Sequence, residues 1–151
     1  MYLDTAIIVK LLVREPDSDW FNKALLGQHF ETSELALAEV RSALFAKERN
    51  NAITAVERVR AGEKFLSMIE DDVVRVLPLN RQTIDRAIAI QQACHPRIPL
   101  RTLDALHVAT CDLHRSKTLA TTDGRMRQAC EQLAIELFPR AVEDVAATRG
   151  S

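Results

Sequence analysis

Short segments of strand length alternate with longer amphipathic segments along the whole 151-residue chain. The clearest strand-like segment is 73–77, which is rich in β-branched residues and is followed by Pro78. The other segments predicted as strands are 2–3, 28–32, 117–122 and 135–138. One or two helices separate consecutive strands, so the connections are crossovers and the strands run mostly parallel. The sequence therefore predicts an α/β fold in three layers, with helices covering both faces of the sheet.

Caps and breakers divide the rest of the chain into helices. Gly27 ends the second predicted helix, and Ser33 and Asn80 are the predicted N-caps of the third and fifth. The predicted helices cover residues 5–13, 20–26, 34–49, 52–70, 81–94, 102–115 and 123–133.

The length is that of one domain, which we predict to cover residues 1–138, with a C-terminal tail over 139–151. Hydrophobic residues make up 47% and charged residues 27%, which is typical of a globular protein and excludes a disordered chain. The net charge of −1 excludes a polybasic nucleic-acid binder but not a local basic patch. No apolar run approaches the length of a membrane span, and the three cysteines are typical of reduced thiols, so we expect a cytoplasmic protein with no signal peptide.

Four carboxylates stand apart from those on polar helix faces. Asp4 and Asp123 each follow a predicted strand, and open α/β sheets bind ligands beyond the carboxyl ends of their strands. Glu39 and Asp104 are flanked by apolar residues in the first turns of their helices, which can face the same crevice. A carboxylate among buried positions is costly unless it is paired, hydrogen-bonded or bound to a metal.

A divalent cation would stabilise such a cluster. Two like charges 4 Å apart repel by about 4 kcal/mol at an effective dielectric near 20. Oxygen ligands without a convergent histidine favour Mg²⁺ or Mn²⁺ over Zn²⁺. Such an ion can activate water and hold a phosphate oxygen, which is the chemistry of phosphodiester hydrolysis.

Ordinary structural roles remain open for these acids. Asp4 and Asp123 occupy positions typical of helix N-caps, and Asp104 suits a first-turn acid that interacts with the helix dipole. Glu39 has no such simple alternative, and one shared site explains the four acids better than four coincidences.

Two further patterns have competing interpretations. His107, Cys111 and His114 fall on one helical stripe and could bind Zn²⁺, although a single helix rarely supplies a complete site. Trp20 and Phe21 are candidates for base stacking or for a partner-binding groove, with core packing favoured for at least one of them.

The segments around the four acids resemble the motifs of one family. YLDTAIIVKLL is similar to a first strand and helix whose usual pattern is YLDTSxLVKL, and SELALAEVRSAL is similar to the segment that supplies a glutamate. LRTLDALHVATC and LATTDGRM are similar to the third and fourth motifs. In this order, over about residues 1–138, the motifs resemble a PIN-domain ribonuclease of the toxin kind found in VapBC-type toxin–antitoxin pairs.

This resemblance implies a five-stranded parallel sheet and Mg²⁺- or Mn²⁺-dependent cleavage of RNA by metal-activated water. It assigns Asp4, Glu39, Asp104 and Asp123 to the catalytic, metal-binding set. It also implies two protein contacts, a VapB-type antitoxin that blocks the site and a second copy in a homodimer.

The chain departs from the family pattern at two polar positions. Ala6 stands where relatives commonly have Ser, and Thr122 stands where Asn is frequent. Thr5 is retained and can orient Asp4 or a metal-bound water. We therefore expect Thr5 and Thr122 beside the acids, with a polar surround that differs from that of relatives.

Cations near the motifs are candidate contacts for RNA phosphates, although an ordinary solvated side chain is the simpler interpretation of any one of them. These candidates are Lys10, Arg14, Arg101, Arg125 and Arg127. The rival function is a non-catalytic binding module that uses the same crevice for a protein or a nucleotide. The chain lacks the Gly-rich loops of dinucleotide-binding and P-loop proteins and the paired acids of phosphotransfer domains.

Overall fold

The structure is a computed structural model that describes residues 1–142. Over that range the strands and helices alternate largely as the sequence predicts. They are β1 (Tyr2–Leu3), α1 (Thr5–Leu12), α2 (Ser18–Ala24), β2 (Phe30–Ser33), α3 (Leu35–Arg49), α4 (Ala55–Glu70), β3 (Val74–Leu77), α5 (Arg81–Cys94), α6 (Thr102–Leu113), β4 (Thr118–Ala120), α7 (Gly124–Gln132) and β5 (Glu136–Phe138).

All five strands join one parallel sheet in the order β3-β2-β1-β4-β5. The chain builds outward from β1 to β3 on one side and then returns to place β4 on the other side of β1. The strand order therefore reverses between β1 and β4, and in open α/β sheets such a reversal leaves a crevice at the carboxyl ends of the strands. Asp4 and Asp123 follow these two strands.

Two hydrophobic clusters cover the two faces of the sheet. Leu3 and Ala120 pack with apolar residues of α1–α4, whereas Tyr2 and Leu119 pack with those of α5–α7. Neighbouring residues of one strand point to opposite faces, so β1 and β4 each contribute to both clusters. This confirms the three-layer α/β fold, and the five-stranded parallel sheet agrees with the expectation from the family resemblance.

Several predicted boundaries were wrong by a few residues. Ser33, predicted as an N-cap, ends β2 and pairs with Leu77 of β3, and Glu34 takes the N-cap position. The Ser33 Oγ nevertheless accepts a hydrogen bond from the backbone N–H of Leu35, the first residue of α3, at 3.2 Å. Helix α4 begins three residues later than predicted, because Thr54 and Glu57 form a capping box there.

The segment after β5 is held by α7. The Arg127 guanidinium donates hydrogen bonds to the backbone oxygens of Thr121, Pro139 and Arg140. The first residues of the predicted tail thus contact the domain, and residues 143–151 lie outside the described residues. Within residues 1–142 no helix is long and apolar enough to cross a membrane.

Candidate active site

Asp4 and Asp123 lie at the carboxyl ends of adjacent strands, and each caps the helix that follows. Oδ1 of Asp4 accepts a hydrogen bond from the backbone N–H of Ile7 at 2.8 Å. Oδ1 of Asp123 accepts from Arg125 at 2.9 Å and from Met126 at 3.0 Å. Because β1 pairs with β4, the two caps are brought to the same part of the sheet edge. The predicted capping role is therefore confirmed for both, and it leaves the second carboxylate oxygen of each residue outside the cap.

Asp4 is almost completely buried, with 3% of its surface exposed. Burial raises the pKa of its carboxyl, and the charge of Asp123 raises it further. Hydrogen bonds from Thr121 and from the Ile7 backbone, together with His107, work in the opposite direction without cancelling the rise.

Asp104 lies in the first turn of α6 and is coupled to the same charge. Burial raises its pKa, the Asp123 charge adds to the rise, and Arg125 opposes it. Its Oδ2 is buried and has no hydrogen-bond partner in the described part of the chain. A buried carboxylate oxygen without a hydrogen bond destabilises the folded state unless a bound ligand supplies the missing contact.

Glu39 belongs to α3, and the side chains of Thr5 and His107 contact its carboxylate. Its Oε2 accepts a hydrogen bond from Thr5 Oγ1 at 2.6 Å and lies 2.7 Å from Nε2 of His107. Burial acts to raise the pKa of Glu39, but these two hydrogen bonds and the His107 charge outweigh it, so the pKa is lowered. Thr5 therefore lies beside an acid, as predicted, and this acid is Glu39.

His107 contacts the acids in a way that the sequence did not predict. The expectation of a cluster without a convergent histidine was wrong, because His107 contacts Glu39 and is coupled electrostatically to Asp4. A signal existed in the sequence, since His107 follows Asp104 by three residues and so shares its helix face.

Thr121 has the contacts that were expected of Thr122. Its Oγ1 accepts a hydrogen bond from the backbone N–H of Asp123 at 3.0 Å, and its side chain also bonds to Asp4.

The zinc hypothesis is wrong. Cys111 donates its thiol hydrogen to the backbone oxygen of Ser116 at 3.3 Å, and His114 lies exposed at the end of α6. Phe21 is fully buried in the core, whereas partly exposed Trp20 stacks on Phe138 with ring centroids 5.5 Å apart. Core packing is thus confirmed for one of the two aromatic residues.

The predicted RNA-binding cations differ in how strongly their charged groups are already bound by other groups of the protein. Lys10 is bound to Glu15 at 2.8 Å and Asp17 at 2.9 Å, and Arg127 is used on backbone oxygens. Arg125 lies beside the acids, with Nη2 3.9 Å from Oδ2 of Asp123. The two others, Arg101 and Arg14, are solvent-exposed.

The donor set suits a hard divalent cation in its chemistry. It consists of carboxylates, two of which have raised pKa values and one of which has a buried oxygen with no hydrogen-bond partner among residues 1–142. Among residues 1–142, however, no three His, Cys, Asp or Glu side chains stand close enough together to hold a metal ion. The charge of Asp123 acts on Asp4 and Asp104. His107 contacts Glu39 and also acts electrostatically on Asp4.

The structure is that of an α/β protein whose strand order reverses between β1 and β4, with Asp4 and Asp123 at the carboxyl ends of these two strands. The PIN domain family model matches residues 1–132. Ribonuclease VapC46 of Mycobacterium tuberculosis (strain ATCC 25618 / H37Rv) is 37% identical over 144 residues, covering 91% of this chain and 95% of that protein. The chain therefore belongs to the PIN-domain family, in its VapC group.

Solved structures show the same fold at lower identity. The VapC20 toxin of Mycobacterium tuberculosis, described as cleaving the sarcin–ricin loop, superposes with a TM-score of 0.64 at 20% identity. That match covers 85% of this chain and 93% of the other. A toxin–antitoxin complex from Klebsiella pneumoniae has a TM-score of 0.55 at 16% identity, with coverage of 81% and 85%.

Proposed function

We propose that this chain is a metal-dependent endoribonuclease and the toxin of a type II toxin–antitoxin pair. The observation that supports this most strongly is the match of residues 1–132 to the PIN domain family, in a chain whose relatives are named ribonucleases and whose Asp4 and Asp123 follow adjacent strands. Repelling carboxylates at a sheet switch point gain most from a bound cation and a polyanionic substrate.

Asp4, Glu39, Asp104 and Asp123 would hold Mg²⁺ or Mn²⁺, which supplies water activation and neutralisation of phosphate charge when bound. The chain's own contribution is to orient the acids. Backbone N–H groups at the starts of α1 and α7 fix Asp4 and Asp123, and Thr5 fixes Glu39. Thr122 directly precedes Asp123 in the sequence, and its side chain would lie beside the bound ion.

RNA would approach along the side of the crevice where α6 and α7 begin. Arg125 is in the first turn of α7, and Arg101 is the residue before α6. A guanidinium in either place can hold a phosphate by two parallel hydrogen bonds. Arg14 is a third candidate, further along the chain from α1.

The test is incubation of the purified chain with a mixed RNA pool, in Mn²⁺ or Mg²⁺ and separately in EDTA. Discrete fragments that appear only with metal would support the proposal. RNA that is bound but never cleaved in metal would contradict it and favour the alternative, a non-catalytic PIN-fold module that uses the acidic crevice for binding. Equal cleavage in EDTA would contradict the metal dependence.

An antitoxin partner is supported by an apolar groove between α3 and α4. The groove has a volume of about 460 Å³. Its apolar lining includes the partly exposed Leu37, Phe45, Val59 and Leu66. Arg41 and Glu63 add charge to the lining, so an amphipathic segment with apolar and charged side chains would fit. We assign this groove to a VapB-type antitoxin, since related folds have been solved as toxin–antitoxin complexes.

We also propose that the chain forms a homodimer and that it is located in the cytoplasm. Ile84 and Ile88 are exposed one turn apart on α5, which is an apolar strip suited to a second copy. The three cysteines are free thiols, as expected in a reducing compartment.

A further inference from the structure

His107 connects one of the proposed catalytic acids to the protein core. The imidazole is 3% exposed and lies between two side chains that are distant in sequence. Its Nε2 is 2.7 Å from Oε2 of Glu39, and its Nδ1 is 2.7 Å from the hydroxyl oxygen of Tyr2. The Tyr2 ring also meets the imidazole edge-on, with centroids 5.8 Å apart.

The direction of the hydrogen bond to Glu39 follows from the donors and acceptors present. An ionised carboxylate can only accept, so Nε2 carries a proton and donates it to Glu39. This holds whether the ring is neutral or cationic. Thr5 donates to the same carboxylate oxygen, so two donors from α1 and α6 fix the end of a side chain that belongs to α3.

Both donors bind Oε2 and leave Oε1 outside this pair of contacts. A free glutamate samples many rotamers, and a half-buried one without partners would turn toward water. Fixing one oxygen sets the direction of the other. Tyr2 fixes the orientation of the His107 ring, because its hydroxyl contacts Nδ1, its side chain is fully buried and its backbone belongs to the central strand β1.

We infer that His107 is a positioning residue that holds Glu39 in the orientation needed for a divalent cation, with Tyr2 as its support. The inference rests on the proposed function, because it assumes that Glu39 faces a cation. Residues that orient metal ligands in this way change metal affinity or activity by about 10- to 100-fold when removed.

A double-mutant cycle on Mn²⁺ binding tests the inference without depending on catalysis. Free Mn²⁺ is measured by electron paramagnetic resonance for the wild type, His107→Leu, Glu39→Gln and the double variant. His107→Leu should weaken Mn²⁺ binding by about 10- to 100-fold in the wild-type background. In the Glu39→Gln background it should change binding by no more than about twofold, because there is no longer a charged ligand to orient.

Two further variants separate positioning from stability. His107→Gln keeps an N–H near the position of Nε2 and should restore most of the Mn²⁺ affinity. His114→Gln makes the same substitution at the exposed histidine that follows α6, and binding should not change. Circular dichroism checks the fold, and if His107→Leu does not fold, Tyr2→Phe replaces it in the cycle.

Equal losses from His107→Leu in both backgrounds would overturn the inference, since they would indicate a general structural effect. An unchanged affinity in His107→Leu would overturn it as well. If the wild type binds no Mn²⁺ and cleaves no RNA, the proposed function fails together with this inference. If the wild type does bind and cleave while His107→Leu behaves like the wild type, only the inference fails.

Discussion

Asp4 and Asp123 each combine a structural and a proposed catalytic role in a single carboxylate. One oxygen of each residue caps a helix, with hydrogen bonds of 2.8–3.0 Å. Asn caps a helix about as well as Asp does. A change from Asp to Asn therefore removes the charge and leaves the cap, which makes it the appropriate substitution at both positions.

Asp123→Asn should stabilise the metal-free protein. The Asp123 charge raises the pKa values of both Asp4 and Asp104, so its removal relieves repulsion in the folded state. The expected gain near pH 7 is on the order of 1 kcal/mol, or roughly 2–5 °C in melting temperature. Mn²⁺ should raise the melting temperature of the wild type by mass action and that of the variant by less.

The stability gain from Asp123→Asn should be larger at neutral pH than at acidic pH. Because Asp4 and Asp104 have raised pKa values in the folded state, the native protein holds protons more tightly than the unfolded chain. The contribution of these two groups to stability is therefore lost as the pH rises from the ordinary pKa of Asp, near 3.9, through the raised values. Thermal melts in EDTA at pH 4 and pH 7 should show the benefit of Asp123→Asn only at the higher pH. A variant no more stable than the wild type at pH 7, with no response of the wild type to Mn²⁺, would mean that these acids do not share a site.

The individual acids could be chosen from the sequence, whereas the contacts between them could not. A carboxylate beside apolar residues is visible in the sequence because burial makes it costly, and this identified Asp4, Glu39 and Asp104. The contacts of His107 with Tyr2 and Glu39 join residues separated by 105 and 68 positions. No local pattern encodes contacts over such separations, which is why His107 entered the sequence argument only as a weak zinc ligand.

At the scale of the secondary-structure elements, helices α3 and α4 leave apolar side chains exposed along one groove. Leu66 is 50% exposed and lines that groove. Leu66→Glu should weaken binding of the cognate antitoxin by at least about tenfold, since it places a charge against an apolar partner surface. Leu26→Glu, at a leucine that is 83% exposed and lies outside this groove, is the matched control. Isothermal titration calorimetry with the purified antitoxin gives both affinities, and equal affinities would show that the antitoxin docks elsewhere.

The existence of the elements was predictable, but several of their ends were not. Strand 73–77 is marked by its β-branched residues and by Pro78, and β3 was found there. The N-cap of α3 was predicted one residue early, at Ser33, because the pairing of Ser33 with Leu77 in the sheet is a long-range contact. Tertiary pairing decided that boundary over local preference.

At the scale of the whole molecule, the strand order explains why one crevice collects residues from all parts of the chain. Asp4 and Asp123 follow neighbouring strands although 119 positions separate them in the sequence. Only the parallel α/β topology brings them together, and that topology was itself inferred from the alternation of strands and helices. The sequence therefore located this edge of the sheet correctly while leaving its internal contacts open.

Expression of the chain alone in a bacterium should arrest growth. Asp104→Asn should relieve the arrest, because Asp104 contributes to the proposed cation site a buried oxygen that has no hydrogen-bond partner within residues 1–142. Co-expression of the cognate antitoxin should relieve it as well. Growth curves at matched expression levels are the measurement, and arrest by both the wild type and Asp104→Asn would show that the harm does not come from catalysis.

The most direct measurement is the single-turnover rate of RNA cleavage by the wild type and by Asp4→Asn in Mn²⁺. Asp4 caps α1 through Oδ1, and Asn can keep that cap, so circular dichroism should show the same fold. The rate should fall by at least ~10²-fold, because a proposed metal ligand loses its charge at nearly constant shape. An Asp4→Asn protein that folds and cleaves RNA as fast as the wild type would contradict the assignment of catalysis to this acidic crevice.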